Sequence, residues 1–580
     1  MSVSGLFLVL FLLFHMSMNL AAVFSTEAYN AICEFLGANW YALAGTLILA
    51  AGVVVHLVYA TVLTLHNRSS RGSQRYAMTA EPEGVTWASR NMYVLGIIIV
   101  LGLLLHLYNF WYNMQFAEII GNHELGPFPP ADGAAYIAAL FAAIGLLNFN
   151  TRFQDSDNVY VNELQANGLY KFYDAFVKNT LDYEQFYLTR PEAEAEAFVH
   201  GVYQSTGDNL HAVRAEGEEI RRNIVLITME SMSASYMERF GNTERITPAL
   251  DSLYKLGLAF DRVYATGNRT VRGLEAVTLS LPPCPGQSII KRPNNAGMHS
   301  AGALLRDKGY NVTYFYGGNS YFDNMETFFS GNGYDIVDQK SYKPEEITFA
   351  NIWGVCDEDA YRKVIRTLNE ETRSGKPFFA HVMTVSNHRP FTYPAGRIRI
   401  PNDSKSRAGG VLYSDYSLGR FFAEAARQPW FENTIFLVTA DHCASSAGRT
   451  EIPLQKYHIP ALILAPGLIE PGVVDGIVSQ IDLMPTLLSL LNMSYDSHFY
   501  GRSIFDPAYV NRAFIATYQD LGYLEGDTFT ILSPVRRFEQ YRVVPTEENP
   551  HHLETMERKD AVQVDRAIGY YQTSCKWNKR

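Results

Sequence analysis

Several acidic, imidazole and hydroxyl side chains in the second half of this sequence fall where a fold can gather them around a metal ion. "NIVLITMES" puts Glu230 directly after an apolar, β-branched run. "TIFLVTADHCASS" puts Asp441 and His442 after a second run, and "FFAHVMTVSNHRPF" puts His388 just past a third. If these runs are strands of one sheet, their carboxyl ends bring Glu, Asp and His to the edge where open α/β sheets bind ligands. Two carboxylates and an imidazole make an oxygen/oxygen/nitrogen donor set suited to a zinc- or manganese-type ion. One charged residue at a strand end is ordinary, so the case rests on the convergence of three such ends. A fourth stretch, "ATGNRTVRGLEAVTLSLPP", places a Gly267–Asn268 turn ahead of Thr270 at the start of a helix. Free N–H groups and the helix dipole favour negative charge there. A hydroxyl in that place, beside a divalent cation, can be activated as a nucleophile, and Arg269 and Arg272 can hold a phosphate. The same residues also read as an N-cap threonine followed by an Arg272–Glu275 pair one turn on. At this level both readings stand.

Those side chains meet only if the chain between them alternates strand and helix. The pattern predicts strands over 224–229, 312–316, 378–385, 435–439 and 461–464, with amphipathic helices over 247–258 and 413–426. Alternation of this kind specifies an α/β domain, a largely parallel central sheet flanked by helices. The organisation it implies is a helical connector over 150–217, a catalytic domain over 218–510 and a C-terminal region over 511–580 packing on it. No internal repeat or low-complexity tract interrupts the pattern.

The remainder of the chain has a different composition. Of 107 charged residues among 580, eleven lie in the first 150 positions: four arginines, seven acids and no lysine. Segments 5–24, 40–65 and 92–112 are each long and apolar enough to span a bilayer, whereas the apolar stretch 134–147 is short for a span and suits a junction over 121–149. All four arginines fall in the second connection, which predicts that this loop is cytoplasmic and that the chain leaves the third span on the outer side. Each span carries a histidine near its middle: His15, His56 and His106. Ionisable groups at that depth suggest function, with haem ligation as one option and helix–helix hydrogen bonding as the other. Composition also excludes classes. An apolar content of 47% opposes disorder, and a net charge of −11 without a basic block opposes nucleic-acid binding. Five scattered cysteines are no disulfide framework. The start lacks the basic n-region of a cleavable signal peptide.

Six motifs in order, "NIVLITMES…ITPALDSL", "ATGNRTVRGLEA", "SNHRPF", "YSDYSLGRFF", "TADHCASSAG" and "YHIPALILAP", resemble the lipoteichoic acid synthase and phosphoglycerol transferase group of the alkaline phosphatase/sulfatase superfamily, over about 148–505. The resemblance implies an alkaline-phosphatase-like fold. By position it implies Glu230, Asp441 and His442 as ligands of a divalent metal, manganese first, then zinc or magnesium. Thr270 would be a nucleophile that also touches the metal, and His388 a histidine at the substrate phosphate. Arg272 and His458 are further phosphate candidates, His458 also suiting a structural role. The implied reaction takes glycerophosphate from phosphatidylglycerol, through a phosphothreonine, to a glycan or polyol acceptor. The enzyme would be a multi-pass inner-membrane protein with its catalytic domain outside the cytoplasm. Phosphoethanolamine transfer and ester hydrolysis use similar sites. A sulfatase's C/S-x-P-x-R run is not matched by "PPCPGQS" around Cys284. In related transferases an aromatic residue and an arginine contact the glycerophosphate, where "YFDNMETFF" here offers Asp323, Asn324 and Met325. Residues 4–120 resemble instead the cytochrome b membrane subunit of succinate dehydrogenase/fumarate reductase, which implies haem b on His15, His56 and His106 and an electron-transfer anchor as the competing function.

Overall fold

All seven residues of the strand Asn223–Met229 are buried. A run of Ile, Val and Leu without alternation suits a strand covered on both faces, as in a parallel sheet between helical layers. The computed structural model describes residues 183–445, 452–547 and 549–576, together with parts of 10–122 and Asp132. It divides into two compact units, Met1–Phe153 and Gln154–Arg580.

In the first unit, helix α1 (Trp40–Ser70) contains the stretch Leu43–Leu63, 21 residues with a mean hydropathy of 2.2 and none of its most apolar window buried. By length and composition it can cross a membrane. The expected spans 5–24 and 92–112 are described only in part, and 134–147 lies outside the described residues. Leu107–Phe116 is a π-helix that runs into the short helix Ala117–Ile119.

The second unit is built on an eight-stranded sheet. Its strands are β1 (Asn223–Met229), β2 (Leu258–Tyr264), β3 (Asn311–Tyr316), β4 (Asp335–Val337), β5 (Phe378–Met383), β6 (Thr434–Ala440), β7 (His458–Leu464) and β8 (Gly472–Ser479). The order across the sheet is β8-β2-β7-β6-β1-β5-β3-β4. β7 runs antiparallel to both β2 and β6, and every other neighbouring pair is parallel. β1 is central, with β6 and β5 on either side, so the ends of these three strands lie together.

The helices that position the site are α2 (Glu192–Tyr203), α3 (Thr270–Leu279), α4 (Asp357–Glu371), α5 (Arg407–Ala425) and α6 (Ala561–Lys576). α3 is buried from Val271 to Leu279. α4 and α5 pack on each other, their Tyr361 and Phe421 rings 4.8 Å apart. After the catalytic sheet comes an antiparallel meander of β9 (Arg512–Ala516), β10 (Leu521–Glu525), β11 (Thr528–Ser533), β12 (Arg537–Val543) and β13 (Leu553–Thr555). It is tied to the main sheet through the Ala516 N–H, which donates to the Thr266 carbonyl at 2.8 Å. α6 lies on the meander, where the Tyr571 hydroxyl donates to the Gly522 carbonyl at 2.6 Å. α2 packs on α6 so closely that a Cβ at Gly569 would lie 2.4 Å from the Phe198 ring.

The five strands expected from sequence are present, within a few residues of their predicted ends, and the sheet is largely parallel. Three further strands carry weaker signals. The helix expected over 247–258 ends early, as Pro248–Leu253, and the chain then turns directly into β2. β8 reads GVVDGIVS, where Asp475 and Gly476 break the apolar run. β4 has only three residues.

Candidate active site

Glu230 is the first residue after β1, and Asp441 and His442 are the first two after β6. Parallel pairing with Met229 opposite Ala440 therefore brings all three to one strand end. Their ligand atoms lie within 4.8 Å of one another. Glu230 is 5% exposed and Asp441 is fully buried.

Backbone around the two acids fixes them. Asp441 Oδ1 accepts from the Ser231 N–H at 2.8 Å and the His442 N–H at 2.7 Å. Ser231, at φ 52°, holds the left-handed conformation that aims its N–H this way. Its hydroxyl donates to Glu230 Oε1 at 2.7 Å. The Gln480 amide donates to the Ala440 and Asp441 carbonyls at 2.8 and 3.0 Å, holding the chain as it leaves β6. The His442 Nδ1–H donates to the Cys443 carbonyl at 2.7 Å, which leaves the lone pair on Nε2, 3.3 Å from Asp441 Oδ2. A ring nitrogen held by a backbone carbonyl is how proteins orient a histidine for a metal. Asp441 Oδ2 is buried and, Thr270 aside, has no hydrogen-bond donor among the described residues. Burial, followed by the neighbouring Glu230 carboxylate, pushes the Asp441 carboxyl well above its usual range. Burial pushes His442 down, partly offset by Glu230. Two close carboxylates, a buried oxygen short of donors and a largely buried imidazole with its lone pair turned toward Asp441 are the surroundings a divalent cation would complete.

Thr270 opens α3, after Arg269 in extended conformation, and its hydroxyl donates to Glu230 Oε2 at 3.3 Å. Close packing accounts for its placement. A Cβ on Gly273, one turn on, would lie 2.2 Å from the Asp441 carbonyl oxygen and 2.6 Å from its Cα, so only glycine lets this helix end rest on the strand end. At Gly267 a Cβ would lie 2.7 Å from the Arg272 side chain.

Arg272 is taken up elsewhere. It is buried, Nη1 pairs with Glu275 at 3.3 Å, and Nη2 donates to the Cys284 carbonyl at 2.5 Å and the Gly286 carbonyl at 2.6 Å. The structure thus realises the Arg272–Glu275 pairing, and this guanidinium holds the segment after α3. His458 starts β7, buried, with Nε2 bonded to the Asp261 carbonyl at 2.8 Å and its ring 5.0 Å from that of His551. Burial holds it down to about 4. It contributes no ligand atom to the Glu230–Asp441–His442 group.

His388 lies past β5 in a segment tied to the site: the Asn387 amide donates to the Glu230 and Ser231 carbonyls at 2.9 and 3.3 Å. Arg407, at the first turn of α5, was not picked out by sequence. Its Nη1 donates to the Asn387 carbonyl at 2.9 Å, and its guanidinium stacks 4.4 Å from the Phe391 ring. It acts electrostatically on both Glu230 and His442, as Arg269 does on His442. The "SKSRAGG" stretch gives no sign of this, because the contact depends on where α5 begins. The chain after Ala444, over 446–451, lies outside the described residues.

In the first unit, the His15 and His106 rings meet edge to face with centroids 5.7 Å apart.

A mixed, largely parallel sheet flanked by helices, with acids and a hydroxyl at its carboxyl edge, is an alkaline-phosphatase-like fold. The sulfatase family model matches residues 222–493. A protein of the alkaline phosphatase superfamily from Vibrio parahaemolyticus is 34% identical and superposes with a TM-score of 0.64, covering 69% of this chain and 98% of that one. The chain belongs to the alkaline phosphatase superfamily. The lipoteichoic acid synthase LtaP from Listeria monocytogenes shares the fold, with 18% identity, a TM-score of 0.52 and coverage of 66% of this chain and 98% of that one. Among curated relatives, phosphoglycerol transferase I of Citrobacter koseri is 26% identical over 38% of this chain and 31% of its own length. The lipoteichoic acid synthase-like YvgJ of Bacillus subtilis is 24% identical over 47% of this chain and 48% of its own. The chain thus spans half or less of the length of these curated relatives.

Proposed function

We propose that this chain is a membrane-anchored, metal-dependent phosphoglycerol transferase with Thr270 as its nucleophile. The observation that carries the proposal is the Thr270 hydroxyl on a buried pair of carboxylates, 3.3 Å from Glu230 Oε2 and within reach of Asp441. Relatives named phosphoglycerol transferase and lipoteichoic acid synthase-like support the head group.

Glu230, Asp441 and His442 would hold the cation, with Thr270 beside them; manganese is the first choice and zinc or magnesium the next. A divalent ion there supplies Lewis-acid chemistry, lowering the pKa of the hydroxyl and neutralising phosphate charge. The chain's own residues do the rest. Glu230 Oε2 accepts the Thr270 hydroxyl hydrogen bond and so aims Oγ1. The first N–H groups of α3, with Arg269 and Arg407, bear the phosphate charge. This assignment moves the phosphate role from Arg272, whose terminal nitrogens are engaged, to Arg407. Thr270 Oγ1 attacks the phosphorus of phosphatidylglycerol. An O–P bond forms, the bond to the diacylglycerol oxygen breaks, and that oxygen takes up a proton as it leaves. A hydroxyl of a glycan or polyol then attacks the phosphorus, the threonine oxygen leaves, and glycerophosphate passes to the acceptor. His388 carries the proton in these steps. The substrate lipid and a spanning anchor share one surface, which fits a multi-pass inner-membrane enzyme with its catalytic unit outside the cytoplasm.

The test uses head-group-labelled phosphatidylglycerol in proteoliposomes. Wild type releases diacylglycerol and carries label on the Thr270 peptide; Thr270→Ala does neither while retaining its metal. Diacylglycerol release by Thr270→Ala at the wild-type rate overturns the nucleophile. Preferential transfer from phosphatidylethanolamine overturns the head group.

A further inference from the structure

The loop 350–355 forms a small hairpin, Ala350–Asn351 paired with Gly354–Val355, whose tip carries Trp353. Glycines fasten this hairpin to the end of β3. The Val355 N–H donates to the Gly317 carbonyl at 2.9 Å. A Cβ on Gly354, at φ 134°, would lie 2.1 Å from that same carbonyl oxygen, and one on Gly318 would lie 2.4 Å from the Trp353 carbonyl oxygen. Backbone thus meets backbone at Trp353 and at the two residues after it, which fixes where the indole enters. It enters against His388: the two ring centroids are 3.8 Å apart. Phe322 backs the indole edge-on, 5.4 Å away at 80°. The same backbone oxygen serves both rings. The Trp353 Nε1–H donates to the Arg389 carbonyl, and His388 Nδ1 lies 3.1 Å from it. A carbonyl accepts only, so Nδ1 must be the protonated nitrogen of the neutral ring and Nε2 must carry the lone pair.

We infer that Trp353 is a positioning residue for His388: it clamps the imidazole between its own face and the Arg389 carbonyl, in the Nδ1-protonated tautomer, with Nε2 presented to take and return a proton. This rests on the reading of His388 as the proton carrier. The sequence alone hides the relation, since 35 positions separate the residues and the pairing arises from two loops at neighbouring strand ends. The indole contributes in two ways that substitution can separate. Its ring, 3.8 Å from the imidazole and tilted 44° to it, restricts ring rotation, and its N–H helps fix the carbonyl that holds Nδ1. The proton transfer is therefore pre-organised by a residue that need not touch substrate.

The experiment takes the full chain in nanodiscs, labelled with 15N-histidine. The His388 ring signals are identified by their loss in His388→Gln. Wild type is expected to show Nδ1 protonated and Nε2 unprotonated at neutral pH. Trp353→Leu should show averaging of the two tautomers, a kcat for glycerophosphate transfer about tenfold lower, as expected for a misaligned proton carrier, and a KM within about twofold of wild type. Trp353→Phe, which keeps an aromatic face and loses the donor, should recover most of the kcat. Metal retention by each variant shows that the Glu230–Asp441–His442 end is folded. The inference falls if the Trp353→Leu tautomer pattern equals wild type, if wild type is protonated on Nε2, or if Trp353→Phe is no better than Trp353→Leu. Full activity of His388→Gln would instead overturn the proton-carrier reading, and the tautomer result would still decide what Trp353 does.

Discussion

Asp482 and Asp441 are both fully buried, yet Asp482 accepts from Arg512 Nη1 with both oxygens, at 3.1 and 2.9 Å. The Arg502 N–H at 2.9 Å, the Ser479 N–H at 3.2 Å and the Tyr509 hydroxyl at 3.2 Å add to its shell. Arg512 in turn donates to the Tyr500 carbonyl at 2.8 Å. Asp441 faces another carboxylate, and among the described residues no lysine or arginine forms an ion pair with it or with Glu230. A buried charge persists where it is paired and hydrogen-bonded, and costs several kcal/mol where it is not. The first cluster is assembled for the fold, joining the end of β8 to the start of the meander. The second is kept at the fold's expense, and a cation is what would offset it.

The difference predicts opposite responses to neutralising an acid. Asp441→Asn should cut transfer by about a thousandfold or more, the scale seen when a residue of a cooperating catalytic group is removed. In chelator its melting temperature should equal or exceed that of wild type, because a like-charge contact is gone. Activity assays paired with calorimetry check both halves. A melting temperature that falls in chelator would show that Asp441 belongs with Asp482 as a structural acid.

Asp482→Ala should have little direct effect on chemistry and a large one on folding, about 3–5 kcal/mol, because Arg512 is left buried and unpaired. Denaturant unfolding reads this directly. Replacing Asp482 and Arg512 together with apolar residues of similar size should restore much of the loss; no recovery would mean that hydrogen bonding around the pair, rather than its charge balance, supports the joint.

Metal addition sharpens the comparison further. A cation bound only by the folded state adds about 2.7 kcal/mol at a hundredfold excess over its Kd. Manganese should therefore raise the melting temperature of the wild type and of the Asp482/Arg512 replacement alike, and leave Glu230→Gln unmoved. An equal rise in Glu230→Gln would place the cation elsewhere.

How much of this was legible in the sequence varies with the range of the interaction. Glu230, Asp441 and His442 follow strands whose apolar runs are unmistakable, so their convergence could be expected from pattern alone, and the central strands with them. Thr270 at a helix start was equally legible, but what brings it beside Glu230, Gly273 resting against Asp441, is a contact across 168 positions. Arg272 looked like a phosphate ligand because its type and place suited one. What engages its terminal nitrogens, the carbonyls of Cys284 and Gly286 along with Glu275, depends on how the chain folds back after α3. Arg407 and Trp353 carried no local signal, since one reaches the site from the first turn of α5 and the other from a hairpin tip, and only the assembled sheet determines where each enters. β8 and the meander were missed because their runs are short or interrupted, and they gain strand geometry from neighbours rather than from propensity.

His458 and His551 show a third way of burying a titratable group, which is to keep it uncharged. Their rings lie 5.0 Å apart between β7 and the chain preceding β13, and the Tyr264 hydroxyl lies 3.1 Å from His551 Nδ1. Burial lowers His458 to about 4 and His551 to about 3, the latter helped by His458 and Arg262. Both values lie below the ordinary 6.5, so the unfolded chain takes up protons first. Stability from this pair is present above pH 6.5 and is lost as the pH falls toward 4. Between pH 6.5 and 5.5 the loss should be about 1 kcal/mol per histidine. Unfolding measured in chelator at several pH values isolates it from metal release. His551→Gln should lower stability at neutral pH, through the lost Tyr264 contact, and flatten the slope below pH 6.5 by about one histidine's share. An unchanged slope would mean that the acid sensitivity arises at other groups, and that the joint between the sheet and the meander is indifferent to protons.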